Sequence, residues 1–275
     1  MLAPFLFRML LRLTVAAVTA AGGLVTLSPA VVAAPACPEP QAGVVRVAPG
    51  TGKTVALTFD DGPGPFTPDI LAVLRSRGVR ATFFDTGAHG SRYRTLTRTT
   101  AAEGHLVADH TWDHAYPADV PGGWSKAYLS DQFARTNTLQ ESLTGRPTCF
   151  FRPPGGFSSP DMLPTARAYR MSTVLWSVDS QDWRQPGRTT TAATKAIVDN
   201  ALAGLSQAHP VVLLHAAKAS HEPEQQVSSY RGNTVAALGR IIDAYRAAGY
   251  TFVDLAGGTG LAVAAPVTAP GGTSP

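Results

Sequence analysis

Two short motifs carry carboxylate and imidazole groups at spacings that could bind a metal ion. TFDDGP contains the adjacent carboxylates of Asp60 and Asp61, and HTWDH contains His110 and His114, which a helical turn would bring to one side. Two histidines and one carboxylate suffice for a catalytic metal with an open coordination position. Because adjacent side chains of a strand point in different directions, the second carboxylate could take a proton from metal-bound water. Taken singly, TFDDGP is better explained as an Asp-Gly-Pro turn, and HTWDH as a chance pair of surface histidines.

Further polar residues could complete a hydrolytic site. Arg152, in FRPPGG, could bind a carboxylate with its planar guanidinium. His215 could donate a proton to a leaving group if Asp182 bound its other ring nitrogen and raised its pKa. Trp183 could stack on a sugar ring. The alternatives are a surface arginine beside a turn, a hydrogen-bonded core histidine and a core tryptophan.

Apolar runs that alternate with helical patterns predict the elements that would position these side chains. KTVALTF, VRATFFDTG, HLVADH, STVLWSVDS, PVVLLHA and YTFVDL are typical of buried strands, and SKAYLSDQFARTNTLQESLTG of a long amphipathic helix. This alternation indicates an α/β fold with a parallel sheet and right-handed crossovers. Six or seven such units in about 200 residues favour a closed or nearly closed barrel, in which chemistry gathers at the carboxyl ends of the strands.

The two ends of the chain differ in composition from the central region. The first residues contain Arg8 and Arg12, no acidic residue and a long apolar stretch, which is typical of a cleavable secretory signal or of an uncleaved membrane anchor. The predicted organisation is a signal or anchor at 1–36, an arm or linker at 37–52, a central domain at 53–255 and a disordered tail at 256–275. Either interpretation of the N-terminus predicts a domain that is secreted or displayed on the extracellular face of the cell envelope.

The net charge and the cysteine content limit the kinds of partner that the chain is predicted to have. The formal net charge of +4 falls to +2 when residues 1–36, with their two arginines, are removed, so no nucleic-acid partner is predicted. No heptad or similar pattern predicts an obligate protein partner. Because an exported chain meets an oxidising environment, a disulfide between Cys37 and Cys149 is predicted; the alternatives are two unpaired thiols or a lipid-modified Cys37.

The motifs, taken in order, resemble those of the polysaccharide deacetylases with a NodB-homology domain, carbohydrate esterase family 4. TFDDGP, HTWDH, FRPPGG, DSQDW and LLH match the family's five successive motifs, and the resemblance covers roughly residues 53–255. It implies a distorted (β/α) barrel of about seven parallel strands and metal-dependent removal of acetyl groups from an extracellular polysaccharide. The substrate favoured is N-acetylglucosamine in peptidoglycan or a chitin-like glycan. The metal favoured is zinc, with cobalt, manganese and nickel as alternatives.

The resemblance also implies a role for each matching residue. The implied metal ligands are Asp61, His110 and His114. The implied acid-base residues are Asp60 as general base, oriented by Arg152, and His215 as general acid, adjusted by Asp182. Trp183 matches an exposed groove wall, and the backbone amide of Gly155 is expected to help bind the oxyanion.

Two positions depart from the family pattern. Gly155 stands where the family commonly has an aromatic residue, which keeps the amide but gives a freer backbone and removes an aromatic wall. Ala216 stands where an aspartate often follows the histidine. Neither change removes a ligand or an acid-base group, so catalysis is still expected. The alternatives are an acetyl xylan esterase on the same scaffold, a non-catalytic carbohydrate-binding protein, and a glycoside hydrolase that uses Asp60 with another carboxylate.

Overall fold

The computed structural model describes residues 37–261. The predicted signal or anchor at 1–36 lies outside the described residues, as does all of the predicted tail beyond residue 261, and the predicted domain boundaries stay predictions. Within the described part of the chain, no helix has both the length and the apolar character needed to cross a membrane.

A sheet of parallel strands forms the centre of the fold. The strands are β1 (Thr54–Gly62), β2 (Thr82–Asp85), β3 (Leu106–Asp109), β4 (Phe150–Phe151), β5 (Ser172–Thr173), β6 (Val178–Asp179), β7 (Val211–His215) and β8 (Thr251–Phe252). Seven of them are neighbours in the order β5-β4-β3-β2-β1-β7-β6, and β8 pairs with the beginning of β1. All of these pairings are parallel. The predicted distorted (β/α) barrel of about seven parallel strands is therefore confirmed.

Helices connect the strands. They are α1 (Thr67–Ser76), α2 (Gly87–Arg92), α3 (Arg94–Ala102), α4 (Lys126–Thr144), α5 (Met162–Ala168), α6 (Thr191–Leu202) and α7 (Gly232–Ala247). The long helix α4 has the bounds that its sequence predicts. Ser125 caps its N-terminus by accepting a hydrogen bond from the backbone N–H of Tyr128, and Gly145 ends it with a left-handed φ of 66°.

The central strand β1 connects the hydrophobic core with the interior of the barrel. Its side chains alternate between the two faces. Leu57 and Phe59 are fully buried in the core that also contains residues of α1, α6 and α7, and each contributes about 1.5–3 kcal/mol by its burial. Thr58 and Asp60 lie on the opposite face, so the strand that anchors the core also carries polar groups into the barrel.

Residues 172–179 close the barrel by changing partners along their length. The sequence predicts one strand there, but the structure has two short ones, β5 on β4 and β6 on β7, at opposite ends of the strand order. Between them, the Leu175 N–H donates to the carbonyl of Val45, and the Ser177 N–H donates to the carbonyl of Val211. The prediction of a single strand was wrong because no one neighbouring strand pairs with the whole segment.

The N-terminal arm packs along the barrel. A disulfide joins Cys37 to Cys149, which confirms the predicted pairing. The arm also pairs through Val45, which forms a parallel bridge with Val174, and through the Ala48 N–H, which donates to the carbonyl of His209. Cys149 immediately precedes β4, so the disulfide fastens the arm beside the strand that leads to FRPPGG.

Candidate active site

The predicted site residues converge at the carboxyl end of the barrel. Seven of them line one cavity of about 290 Å³: Asp60, Asp61, His110, His114, Gly155, Trp183 and His215. The other two, Arg152 and Asp182, are almost completely buried and contact cavity-lining side chains from behind. Five separate strand ends, those of β1, β3, β4, β6 and β7, therefore contribute to one site, as the barrel architecture requires.

The adjacent carboxylates of β1 reach the same cavity because the strand is irregular at its end. Regular alternation would place Asp61 on the face opposite Asp60. Instead, the register between β1 and β2 shifts between Asp60 and Gly62, and Asp61 has a left-handed φ of 65°. Such a conformation costs a non-glycine residue about 1–3 kcal/mol. The Nδ1–H of His89 donates to the Asp61 carbonyl over 2.6 Å and helps to fix it.

HTWDH forms an irregular turn after β3 and not the helical turn that its spacing suggested. Thr111 and His114 both have left-handed backbones, with φ of 62° and 61°. The Thr111 N–H donates to Asp109 Oδ1 over 2.6 Å, and the His114 N–H donates to Thr111 Oγ1 over 3.1 Å. The turn still brings the imidazole rings of His110 and His114 side by side, with their centroids 4.8 Å apart.

The donor atoms of Asp61, His110 and His114 converge in a way that fits a metal ion. One donor atom from each lies within 4.8 Å of the others, and all three residues are buried. Asp61 Oδ1 is 3.5 Å from His110 Nε2 and 3.2 Å from His114 Nε2, yet it has no hydrogen-bond partner. The Nδ1–H of His110 donates to the carbonyl of Arg152 over 2.7 Å, which leaves its Nε2 free as a ligand. This set could hold a divalent cation.

Burial and neighbouring charges shift the pKa values of the three candidate ligands in different directions. Burial lowers the pKa of His114 to about 3 against the opposing charge of Asp61, so this imidazole is neutral. Burial raises the pKa of Asp61, but the surrounding imidazoles of His114, His110 and His215 outweigh it, so the pKa lies well below its ordinary value. For His110, the carboxylates of Asp60 and Asp61 outweigh burial and raise the pKa. Because a ligating imidazole must be neutral, a cation would compete with a proton for His110.

Arg152 binds Asp60 from inside the barrel. Its side chain is fully buried, and its Nη1 donates to Asp60 Oδ1 over 2.6 Å and to Thr58 Oγ1 over 2.9 Å. The guanidinium also lies over the Phe84 ring, 4.1 Å from its centroid. Burial lowers the pKa of Arg152, and the charge of Asp60 acts against this change. The pair fixes one oxygen of Asp60, whereas the other, Oδ2, lies 3.7 Å from His110 Nε2.

His215 lies beside Asp60 and forms a pair with Asp182. The parallel register of β1 and β7 aligns His215 with Asp60. Asp182 Oδ1 accepts from His215 Nδ1 over 2.7 Å, and its Oδ2 accepts from the His215 N–H over 2.9 Å and from the Thr234 hydroxyl over 2.7 Å. Burial lowers the pKa of His215, but the charge and hydrogen bond of Asp182 outweigh it and raise the pKa to about 9. The imidazole is therefore protonated at neutral pH, and its Nε2–H is left for the cavity.

Gly155 makes room for aromatic side chains from elsewhere in the chain. It has a left-handed φ of 58°, and a Cβ there would lie 2.8 Å from the Phe157 ring and 3.0 Å from the Tyr116 ring. These two rings lie 5.0 Å apart between centroids, and Phe157 is 48% exposed. Phe157 and Tyr116 thus provide an aromatic wall where the sequence predicted that one had been lost.

Seven lining residues of the cavity were not predicted as site residues from the sequence: Tyr116, Phe157, Trp176, Asp179, Leu213, Glu222 and Val227. Tyr116 follows HTWDH by two positions and Phe157 follows FRPPGG directly, so each lies close enough to a motif to have been considered. Trp176 lies within the segment that closes the barrel. Glu222 lies in an irregular segment after β7, and no pattern in the sequence marks it.

The fold and the site together define a parallel-barrel hydrolase with paired carboxylates, paired imidazoles and a buried arginine at one end of its sheet. A family model described as "Polysaccharide deacetylase" matches residues 48–174. The chain is 36% identical to a chitooligosaccharide deacetylase of Sinorhizobium fredii over 73% of this chain and 90% of that protein. It is 34% identical to a peptidoglycan-N-acetylglucosamine deacetylase of Bacillus cereus over 78% of this chain and 92% of that protein.

A solved structure agrees with these relatives. The family 4 carbohydrate esterase of Streptomyces lividans, in complex with acetate, superposes with a TM-score of 0.61 at 29% identity, covering 77% of this chain and 97% of that chain. The chain belongs to the polysaccharide deacetylase family that its motifs predicted. The prediction that it is an enzyme of this kind, acting on a polysaccharide, is thereby confirmed.

Proposed function

We propose that the chain is a metal-dependent deacetylase that removes acetyl groups from N-acetylglucosamine units of peptidoglycan or a chitin-like glycan outside the cytoplasm. The observation that carries this proposal is the convergence of three groupings on one cavity. They are the ligand set Asp61, His110 and His114, the pair Asp60–Arg152 and the pair Asp182–His215. A metal-binding set flanked by a carboxylate and a protonated imidazole is suited to acyl hydrolysis.

Asp60 is the proposed general base. Arg152 binds its Oδ1, which orients the carboxylate and leaves Oδ2 facing the ligand histidines, where the attacking water would lose its proton. A positioned acid or base of this kind contributes a factor of about 100 to 10,000 in rate.

His215 is the proposed general acid. Asp182 accepts from Nδ1, so the proton for the departing amine is carried on Nε2, the nitrogen that is left for the cavity. Trp183, half-buried at the cavity, is the proposed groove wall, and the backbone N–H of Gly155 is the proposed oxyanion donor. Losing an oxyanion donor costs about 2.7–4 kcal/mol, so the conformation of Gly155 matters for the rate.

Asp61, His110 and His114 would hold the metal ion. A divalent ion there would supply Lewis acidity toward the acetyl carbonyl and lower the pKa of water to about 7. We favour zinc because two imidazoles and one carboxylate form a common catalytic zinc set, with cobalt, manganese and nickel as the alternatives.

The relatives and the disulfide support the proposed substrate and location. The relatives from Sinorhizobium fredii and Bacillus cereus are named for chitooligosaccharide and peptidoglycan substrates, which share N-acetylglucosamine. The Cys37–Cys149 disulfide is a feature of proteins that function outside the reducing cytoplasm. Both observations favour a secreted or envelope-bound enzyme.

Acetate release by the purified protein tests the proposal. The panel is N-acetylated chito-oligosaccharide, peptidoglycan and acetylated xylan, each measured untreated, after chelation and after zinc repletion. We expect release from at least one N-acetylated substrate that stops on chelation and returns with metal. Asp60→Asn is the matched variant and should keep its metal but lose at least about 100-fold in rate. Unchanged activity in Asp60→Asn would exclude Asp60 as the base.

An acetyl xylan esterase is the second candidate, because a family 4 carbohydrate esterase is among the solved relatives. Release from acetylated xylan alone would favour it. The alternative of a non-catalytic binding protein loses its only sequence support, since Gly155 accommodates the rings of Phe157 and Tyr116.

A further inference from the structure

Glu222 is an acidic residue of the cavity to which the proposed mechanism gives no role. It lies in the segment between β7 and α7, and its side chain lines the same cavity as Asp61 and His114. The residue is only 9% exposed. Glutamate is rarely buried to this degree without a partner, so its position requires a physical explanation.

Buried contacts fix the segment that carries Glu222. The fully buried Arg231 donates from Nε to the carbonyl of Ala217 over 2.9 Å and from Nη1 to the carbonyl of Ser228. Lys218 donates from Nζ to the backbone carbonyl of Glu222 itself. The Glu222 carboxylate is therefore presented to the cavity by a segment with defined internal contacts.

The two carboxylate oxygens of Glu222 have different environments. The Tyr116 hydroxyl donates to Oε1 over 2.5 Å. Oε2 is buried and has no hydrogen-bond partner. The nearby cation Lys218 pairs instead with Glu224, at 3.9 Å. Because buried carboxylate oxygens nearly always have donors, a molecule bound in the cavity could supply one to Oε2.

The surroundings of Glu222 identify the kind of donor. Tyr116, which binds Oε1, packs against the half-exposed ring of Phe157, so an apolar surface adjoins the carboxylate. A sugar ring presents an apolar face and, at its edge, hydroxyl donors from which a carboxylate oxygen can accept a hydrogen bond. We propose that Glu222 determines specificity by accepting, at Oε2, a hydrogen bond from a hydroxyl of the acetylated sugar. The inference rests on the proposed function and adds a sugar contact to it.

Two variants of Glu222 and one control test the inference. Glu222→Gln keeps the shape and an oxygen for Tyr116 but replaces the Oε2 acceptor with an amide donor, and Glu222→Ala removes both oxygens. Glu224→Gln is the control, because this side chain is 52% exposed in the same segment and does not line the cavity. Each is assayed on an N-acetylated chito-oligosaccharide and on 4-nitrophenyl acetate, an acetyl donor without a sugar.

We expect both Glu222 variants to raise KM for the oligosaccharide, by about 10- to 100-fold for Glu222→Ala, without changing the hydrolysis of 4-nitrophenyl acetate. Glu224→Gln should behave as the wild type on both substrates. Equal losses on both substrates, or no loss on either, would overturn the assignment. If the Glu222 variants bind a partly deacetylated oligosaccharide even less well, the group that donates to Oε2 is a glucosamine ammonium, and the assignment of a hydroxyl is overturned. If the wild type hydrolyses neither substrate, the proposed function fails. In that case, the Kd of the oligosaccharide, measured by calorimetry, tests the inference. We expect Kd to rise by a similar factor in Glu222→Ala, and equal Kd values for the wild type and the variant would overturn the inference.

Discussion

Replacing Asp182 with asparagine tests whether the imidazole of His215 supplies the proton for the leaving group. The pKa of His215 rises from 6.5 to about 9, which corresponds to about 3 kcal/mol of net stabilisation of the imidazolium. Burial and the charge of Arg231 both lower this pKa, and Asp182 is the main influence that raises it, with a further contribution from Asp61. Removing the Asp182 charge should therefore bring the pKa to or below its ordinary value.

The hydrogen bonds of Asp182 strengthen this expectation. Two donors, the His215 N–H and the Thr234 hydroxyl, bind Oδ2, so the oxygen of an asparagine would take that position. Its amide NH₂ would then face Nδ1 of His215, which accepts a hydrogen bond only when the imidazole is neutral. A neutral imidazole with its proton on Nε2 is too weak an acid to protonate an amine.

The pH dependence of kcat/KM for acetate release measures the effect. A general acid is active below its pKa, so the wild type should lose activity as the pH rises through about 9. In Asp182→Asn this alkaline limb should move to about 6.5 or lower, and at pH 8 the protonated fraction should fall about 30-fold. Thr234→Val is the control, because it removes one hydrogen bond to Asp182 but keeps its charge, and should shift the limb less. An alkaline limb that stays near pH 9 in a folded, metal-loaded Asp182→Asn would refute the assignment of His215 as the acid.

Three further predictions concern the other parts of the structure. Gly155→Ala should lower the free energy of unfolding in urea by about 1–2 kcal/mol, because alanine is strained at this left-handed φ. It should also raise KM, because the added Cβ would displace the Phe157 ring. An unchanged free energy of unfolding and an unchanged KM would contradict the steric argument. The double variant Cys37→Ser, Cys149→Ser should lower the free energy of unfolding by about 2–5 kcal/mol, because the disulfide closes a loop with a sequence separation of 112. As a control, a reductant should destabilise the wild type but not the double variant. His114→Ala should weaken metal binding by at least about 100-fold, measured as metal content after dialysis, and full metal retention would exclude it as a ligand.

The sequence predicted the fold correctly wherever a segment's pattern matched one structural environment. β1, β2 and β3 are apolar runs buried in one sheet, and α4 has a cap at each end, so local preference and tertiary packing agree. STVLWSVDS has an equally good strand pattern, but its two halves pair with different strands. Its division was not predictable because only the closure of the barrel determines which neighbour each half meets.

The site was predicted to the extent that its residues lie at strand ends. A parallel barrel brings those ends together whatever the loops do, so the motif residues converge on one cavity. Phe157 and Glu222 reach the same cavity from irregular segments whose paths depend on tertiary contacts. The path of Phe157 depends on the missing Cβ of Gly155, and that of Glu222 on the buried guanidinium of Arg231. Neither dependence leaves a periodic signal in the sequence.

The adjacent carboxylates of β1 show why local backbone irregularity matters for the chemistry. In a regular strand only one of them could face the cavity, and the other would be buried against the helices without a partner. The left-handed conformation of Asp61 brings both into the cavity, at a backbone cost that the hydrogen bond from His89 helps to offset. The two adjacent carboxylates then have different partners. Arg152 binds Asp60, and the proposed ligand histidines face Asp61, so each carboxylate is positioned for a different task. A regular strand in place of this irregular end would keep TFDDGP in the sequence but would separate the proposed base from the proposed ligand.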